Sequence, residues 1–317
     1  MLPQVTNLQD LIKKFSDDNV CRKYLEEMIW QGDPTCPHCG QNKPYKLKDD
    51  KTHRCSNKDC KKDFTITVGT MFENTKVSLS KWFMAIYIAT NHKKGISSIQ
   101  LGKDIGVRQG TAWFMLHRIR EMVRPKQEKV FSGEVMIDHT FCGGKEKNKS
   151  KYKRMLSHQN NGGQRVDIKI PVFGMVQRDG EATMIVVPDP GAETALPIIF
   201  KLIDRESVIV SDGGTVFSGL KNDYKDHIVV NHSARQYVNG DYTTNHIESI
   251  FALLKRTVYG TYHNVSPKHL QRYCEETVHR YNTRTLKDPD RFMHVLQHSK
   301  GRLKYDRLIA KLNTLAE

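Results

Sequence analysis

Asn245-His-Ile-Glu-Ser-Ile-Phe-Ala-Leu-Leu-Lys-Arg256 is the stretch from which the rest of the chain can be read. Ile247, Ile250, Phe251, Leu254 and Val258 recur at i, i+3, i+4 and i+7, the period of one buried helix face. Glu248 stands at the edge of that apolar stripe. Lys255 lies seven residues on, nearly two turns, and projects from almost the same angle. A carboxylate and a cation two turns apart, beside a core face, suit a site that holds a metal ion and a phosphate together.

Working back along the chain, Glu248 has two potential partners. Asp138 follows the short apolar run Glu134-Val-Met-Ile137, and Asp212 ends Ser207-Val-Ile-Val-Ser211 before a Gly213-Gly214 turn. Two aspartates at strand ends and a glutamate on a later helix can converge on hard divalent cations. Such cations take oxygen ligands and leave positions for substrate phosphates. Singly, each acid reads as an ordinary surface carboxylate. The ordered set, with Lys255 beyond, does not.

The 317 residues suffice for two or three domains, and Lys and Arg outnumber Asp and Glu by 50 to 35. That surplus points to a polyanionic partner, nucleic acid or an anionic membrane surface. No apolar run reaches the roughly 18–20 residues that span a bilayer, and Met1-Leu-Pro-Gln-Val5 does not open a secretory leader. Nucleic acid is therefore the expected partner, and no membrane is. Seven cysteines, an odd number, argue against a disulfide framework and for a reduced chain.

Four of the cysteines form two pairs, Cys36-Pro-His-Cys39 and Cys55-Ser-Asn-Lys-Asp-Cys60. Two thiol pairs on tight turns can close a tetrahedron around Zn²⁺. Short strand-like runs at 44–47, 53–54 and 64–68 surround them, the pattern of a zinc ribbon. Four thiolates close the site, so it is structural, and so small a unit is expected to unfold without its metal. Ahead of it, residues 8–30 read as two helices broken at Asp17-Asp18-Asn19.

Residues 78–125 carry further helices. Ser97 can cap one, Gly106-Val107 can turn the chain, and a second helix starts near Arg108. In a helix-turn-helix the first residues of the second helix meet base edges, so Arg108, Gln109 and Thr111 are candidate DNA contacts. A plain helical hairpin is the alternative. Trp113, Leu116 and Ile119 read as core.

After a linker at 126–134 the chain changes character. Strands are expected at 134–137, 166–176 and 182–187, the last two joined by the Gln177-Arg-Asp-Gly180 turn. A helix over 192–203, the strand ending at Asp212, a strand at 227–230 and the Glu248 helix follow. Between the first two strands, Lys145-Glu-Lys-Asn-Lys-Ser-Lys-Tyr-Lys-Arg154 is densely cationic. Lys151, Lys153 and Arg154 are its candidate grips on a DNA backbone, with Lys255 and Arg256 on the helix. Residues 266–317 read as basic helices, where Arg280, Asn282 and Arg284 can meet phosphates or the acidic centre.

The element order of three strands, then helix, strand, helix, strand, helix resembles that of a ribonuclease H-like α/β domain. Its sheet is five-stranded and mixed. The expected division is 1–70 for helices and ribbon, 71–128 for the helix-turn-helix, and 129–317 for the α/β domain with the C-terminal helices.

More closely, the chain resembles the bacterial insertion-sequence transposases of the DDE type, with an N-terminal zinc ribbon and an ISXO-like catalytic domain. The resemblance rests on the four cysteines, Ile137-Asp-His-Thr-Phe-Cys-Gly-Gly-Lys145, Pro171-Val-Phe-Gly-Met175 and Ser211-Asp-Gly213. It also rests on Asn245-His-Ile-Glu-Ser249 with Leu254-Lys-Arg256, on Gly260-Thr-Tyr-His-Asn-Val-Ser266 and on Arg280-Tyr-Asn-Thr-Arg284. It implies an acidic triad of Asp138, Asp212 and Glu248, loaded with Mg²⁺ or Mn²⁺, with Lys255 as the accompanying base. His139 stands where many relatives carry Glu; alternation along a strand turns it away from the site. Some relatives use Asn as third ligand, and Asn245 lies one turn before Glu248. The resemblance implies metal-dependent strand cleavage and strand transfer on double-stranded DNA by a homo-oligomer in the bacterial cytoplasm, at the nucleoid. Two other functions fit the same features: a ribbon and helix-turn-helix regulator with an inactive catalytic domain, and a structure-specific nuclease on the same fold.

Overall fold

The computed structural model describes residues 5–144, 151–152, 155, 169–231 and 238–310. Two compact units divide at residues 123/124 and 284/285. Residues 285–310 belong with the N-terminal unit, although the expected α/β domain extended to the C-terminus.

In the first unit, α1 (Leu8–Lys14) and α2 (Asp18–Trp30) are separated at Asp17, whose carboxylate caps α2 by accepting from the Asn19 amide. The ribbon strands β1 (Tyr45–Lys46), β2 (His53–Arg54) and β3 (Asp63–Phe64) pair antiparallel in that order. They are only two residues long, and Cys36, Cys55 and Phe64 form nearly all of their core. Helices α3 (Leu79–Asn91), α4 (Ser98–Ile105) and α5 (Gln109–Val123) follow. Phe83 at the middle of α3 packs edge-on against Phe15 and Phe292, with ring centroids 5.0 and 5.7 Å apart. Phe292, Val295 and Leu296 lie on α9 (Asp288–Gln297) and are fully buried in this core. Their apolar face is what ties the C-terminal helices to the first unit.

The second unit is built on one five-stranded sheet. Its strands are β4 (Glu134–Cys142), β5 (Ile170–Gln177), β6 (Ala182–Val186), β7 (Val208–Asp212) and β8 (Asp226–Val230). Their spatial order is β6-β5-β4-β7-β8. The first three pair antiparallel, whereas β4–β7 and β7–β8 are parallel. The sheet is therefore mixed and five-stranded, as the element order predicts. A two-residue hairpin, Val238–Asn239 with Tyr242–Thr243, precedes the Glu248 helix and was not foreseen.

Both faces of the sheet are covered, which is why the central strands are apolar on both sides. Val135, Ile137, Phe173, Met175 and Ile209 face α6 (Ala192–Leu202). Met136, Val172, Val176 and Val210 face α7 (Asn245–Arg256) and α8 (Leu270–Asn282). On α7 the residues Ile247, Ile250, Phe251 and Leu254 are all buried, the stripe expected from their spacing.

One glycine sets how closely α7 approaches. Gly174 on β5 is the register partner of Asp138. A Cβ at Gly174 would lie 2.7 Å from the Phe251 ring and 2.9 Å from Ile247 Cδ1. Only hydrogen fits there, so α7 lies down on the strand pair that carries Asp138. Gly174→Ala is expected to cost about 1–3 kcal/mol, read as a lower melting temperature, with partial recovery when Phe251→Leu is added. An unchanged melting temperature for the single variant would show that the helix has room to move.

Candidate functional site

Strand register and alternation together bring the expected acids onto one face. On β4, Met136 belongs to the α7-side core and Ile137 to the α6-side core, so Asp138 faces α7. Ile137 is level with Ser211 on the neighbouring parallel strand β7. Asp138 and Asp212 are therefore the next residues on adjacent strands, both on the α7 side. Glu248 lies in the first turn of α7 and is exposed; its Oε1 accepts from the Thr244 hydroxyl at 3.3 Å.

Electrostatics record the convergence. The Asp138 carboxyl, half-buried, is pushed up from 3.8 to about 7. Burial is the main cause and the Asp212 charge the second, with Glu248 adding to both. The His139 amide, which donates to Asp138 Oδ1 at 2.6 Å, and the Lys255 ammonium oppose the shift. The other three expected residues, Asp212, Glu248 and Lys255, thus all act on the Asp138 carboxyl. The acids are nevertheless spread out: among the described residues, only the cysteines gather three or more ligand atoms within 4.8 Å. Oxygen donors of this kind are the type that hard divalent cations take, with positions left for phosphate oxygens.

His139 turns to the opposite face, as alternation predicts. It stacks on Phe217 with ring centroids 5.4 Å apart and 10° between planes, and tilts over Phe173 at 4.9 Å. Asn245 is exposed at the start of α7, its backbone amide donating to the Thr243 hydroxyl. Lys151, Lys255 and Arg256 are exposed; Lys153 and Arg154 lie outside the described residues. Arg280, Asn282 and Arg284 are committed internally. Arg280 pairs with Glu276 at 2.6 Å, both buried. Asn282 bonds both backbone groups of Ala182 on the outer edge of β6, and Arg284 lies over the Tyr281 ring and donates to the Gly180 carbonyl. Side chain–backbone pairing of this kind follows from the packing of α8 on β6, which composition does not reveal.

The four cysteines meet as their spacing predicts. Cys36 and Cys60 sulfurs are 3.9 Å apart, and those of Cys39 and Cys55 are 3.5 Å apart. A zinc tetrahedron with bonds of about 2.3 Å spaces its ligands by about 3.8 Å, so the donor set fits the metal. The Gln41 amide is the main influence holding the Cys39 thiol down to about 7, while burial pushes the neighbouring Cys55 thiol up to about 12.

The two helices and the tight turn expected at 97–123 are also formed. Ser97 caps α4 by accepting from the Gln100 amide at 3.1 Å, and Gly106 turns the chain at φ +64°. Arg108 and Gln109 are exposed at the start of α5 and Thr111 is half-buried. The Gln109 amide also donates to Ser98 Oγ at 2.9 Å, which ties the two helices together. No described helix is long and apolar enough to cross a membrane.

Comparison with known proteins agrees with this geometry. Residues 130–282 match the family model of the ISXO2-like transposase domain, and residues 16–63 match that of the transposase zinc-ribbon domain. A protein of Halobacterium salinarum, described as an uncharacterized protein in transposable element ISH50, is 28% identical over 255 residues. The alignment covers 77% of this chain and 84% of the relative. Two family models, over adjacent parts of the chain, thus assign it a transposase zinc-ribbon domain and an ISXO2-like transposase domain.

The state of Asp138 leads to a stability test. Its raised pKa favours the folded chain fully below about 3.8, and that contribution is lost as pH rises to about 7. The loss is at most about 4 kcal/mol, at 1.36 kcal/mol per pH unit. In magnesium-free buffer at pH 8, Asp138→Asn should therefore melt several degrees higher than the unsubstituted chain, with the gap closing below pH 5. A lower melting temperature at pH 8 would contradict the clustering of charge.

Proposed function

We propose that the chain is a transposase that binds the terminal inverted repeats of its element, cuts them and joins them to target DNA. The observation that carries this reading is the placement of Asp138, midway along β4, next to Asp212 at the end of the neighbouring parallel strand β7, on the face covered by the helix bearing Glu248 and Lys255.

In this reading Asp138, Asp212 and Glu248 hold two divalent cations, Mg²⁺ or Mn²⁺. Bound ions supply an activated water or 3′-hydroxyl and neutralise the leaving oxygen. The remaining work falls to the chain itself. Gly174 and Phe251 fix the depth of α7 over the strands that carry Asp138 and Asp212, so that Glu248 is presented to them without a change of fold. The exposed Lys255 takes a phosphate beside the acids, and Arg256 and Lys151 extend the cationic surface along the backbone. Lys153 and Arg154 belong with Lys151 in sequence. Reaction by direct phosphoryl transfer needs no protein nucleophile, and the site presents none.

End recognition is assigned to the zinc ribbon and to Arg108, Gln109 and Thr111 at the start of α5, the part of a helix-turn-helix that enters the major groove. Two ends must be held for transposition, which a homo-oligomer on DNA provides. The similarity to a protein from transposable element ISH50 supports an insertion-sequence origin.

Duplexes copied from the DNA flanking the gene provide the test. Asp138→Asn and Asp212→Asn should bind them as tightly as the unsubstituted chain and lose strand cleavage by at least about a thousandfold. Binding without Mg²⁺-dependent cleavage by the unsubstituted chain would favour a regulator. Cleavage confined to branched DNA, without joining, would favour a nuclease. Full cleavage by either variant would remove the acids from the reaction.

A further inference from the structure

The helix that carries Glu248 does not end at Arg256. It continues over Thr257–Tyr262 as a wider π-helix, a form that appears mostly as single turns at functional positions. Two tyrosines on this turn meet different fates. Tyr262 is packed: its hydroxyl donates to Glu276 at 2.8 Å and its ring meets Tyr273 edge-on at 4.8 Å. Tyr259 has no such role in the core and is 43% exposed.

The Tyr259 ring is nevertheless held in place. Its hydroxyl accepts from the Gly143 amide at 3.2 Å and donates to the Gly143 carbonyl at 3.1 Å. Gly143 directly follows β4, the strand of Asp138. Lys255 precedes Tyr259 by four residues, one turn or about 6 Å along the axis. Glu248, Lys255 and Tyr259 therefore run along one side of the helix as acid, cation and aromatic ring. Scattered exposed aromatics are ordinary on protein surfaces. This one is anchored at its polar tip, with its ring half free, beside the residue assigned to a phosphate.

We propose that Tyr259 is a stacking platform for one unpaired base of the DNA end, the base of the nucleotide whose phosphate Lys255 holds. This deepens the transposase reading and rests on it. A base inside a duplex has both faces covered by its neighbours, so the ligand is a terminal or extruded nucleotide. Aromatic stacking recognises the π-face of any base and is indifferent to sequence. Tyr259 thus positions the strand end, while sequence is read elsewhere. Because two hydrogen bonds orient the ring before DNA arrives, little side-chain freedom is lost on binding.

The experiment uses the full zinc-loaded chain with Ca²⁺ in place of Mg²⁺. The probe is a duplex copied from the flanking DNA, with 2-aminopurine at the nucleotide beside the cleaved phosphate. Stacking on a tyrosine ring quenches its fluorescence. The unsubstituted chain and Tyr259→Phe should both quench it, since each presents a ring. Tyr259→Leu should abolish quenching and weaken binding at least about fivefold, the lower end of what one stacked base contributes. Lys255→Met should reduce quenching by displacing the nucleotide. Equal quenching by Tyr259→Leu and the unsubstituted chain would overturn the proposal. So would a Tyr259→Phe variant as weak as Tyr259→Leu, because the tyrosine would then act only through Gly143. Mg²⁺-dependent cleavage without any quenching would remove the platform and leave the transposase reading standing. A chain that neither binds nor cuts the duplex would remove both.

Discussion

Two aspartates cannot be brought beneath a helix that bears a glutamate without repulsion, and the second unit carries that cost. Asp138 is half-buried beside Asp212 and within the field of Glu248, and its proton is held until about pH 7. A fold selected for stability alone would place an asparagine or an apolar residue there. What keeps the acids together is apolar packing: the buried face of α7 against Met136, Val172 and Val210, at a depth set by the missing side chain of Gly174. Repulsion among acids and burial of the helix are opposing forces on the same element. A divalent cation would reverse the sign of the first.

Much of this was legible in the residues themselves, because it depends on local periodicity and short-range spacing. The α7 stripe, the strand end at Asp212, the two cysteine pairs and the Ser97 cap all follow from patterns within about fifteen residues, whereas Asp138, expected at a strand end, lies midway along β4, which runs on to Cys142 in register with β5. Alternation also assigned His139 to the far face, where it stacks on Phe217. The features that escaped depend on partners distant along the chain. Phe292, Val295 and Leu296 read as an ordinary helix face, and nothing within that helix says that its partner is Phe83. Arg280, Asn282 and Arg284 read as phosphate ligands because they are polar and basic; Arg280 instead pairs with Glu276 one turn back on its own helix, and tertiary packing turns Asn282 and Arg284 onto Ala182 and Gly180. The π-turn at Thr257–Tyr262 has no periodic signature, so Tyr259 read as one more aromatic.

In the proposed function, a zinc site and a divalent-cation site divide the work by ligand type. Thiolates spaced 3.5–3.9 Å apart form a closed set suited to zinc. It supports a ribbon whose three two-residue strands and small core offer little other stability. Carboxylates, more widely spread, leave room for substrate oxygens. Soft and hard donors are thus separated along the chain, which keeps a structural ion from competing with a catalytic one.

The central claim is that Asp138, Asp212 and Glu248 form one divalent-cation site. Anomalous diffraction from crystals of the zinc-loaded chain soaked in Mn²⁺ addresses it most directly. The account predicts manganese peaks between the side chains of these three residues, absent from an Asp138→Ala crystal. Manganese bound elsewhere, or none at that position at saturating concentration, would contradict it.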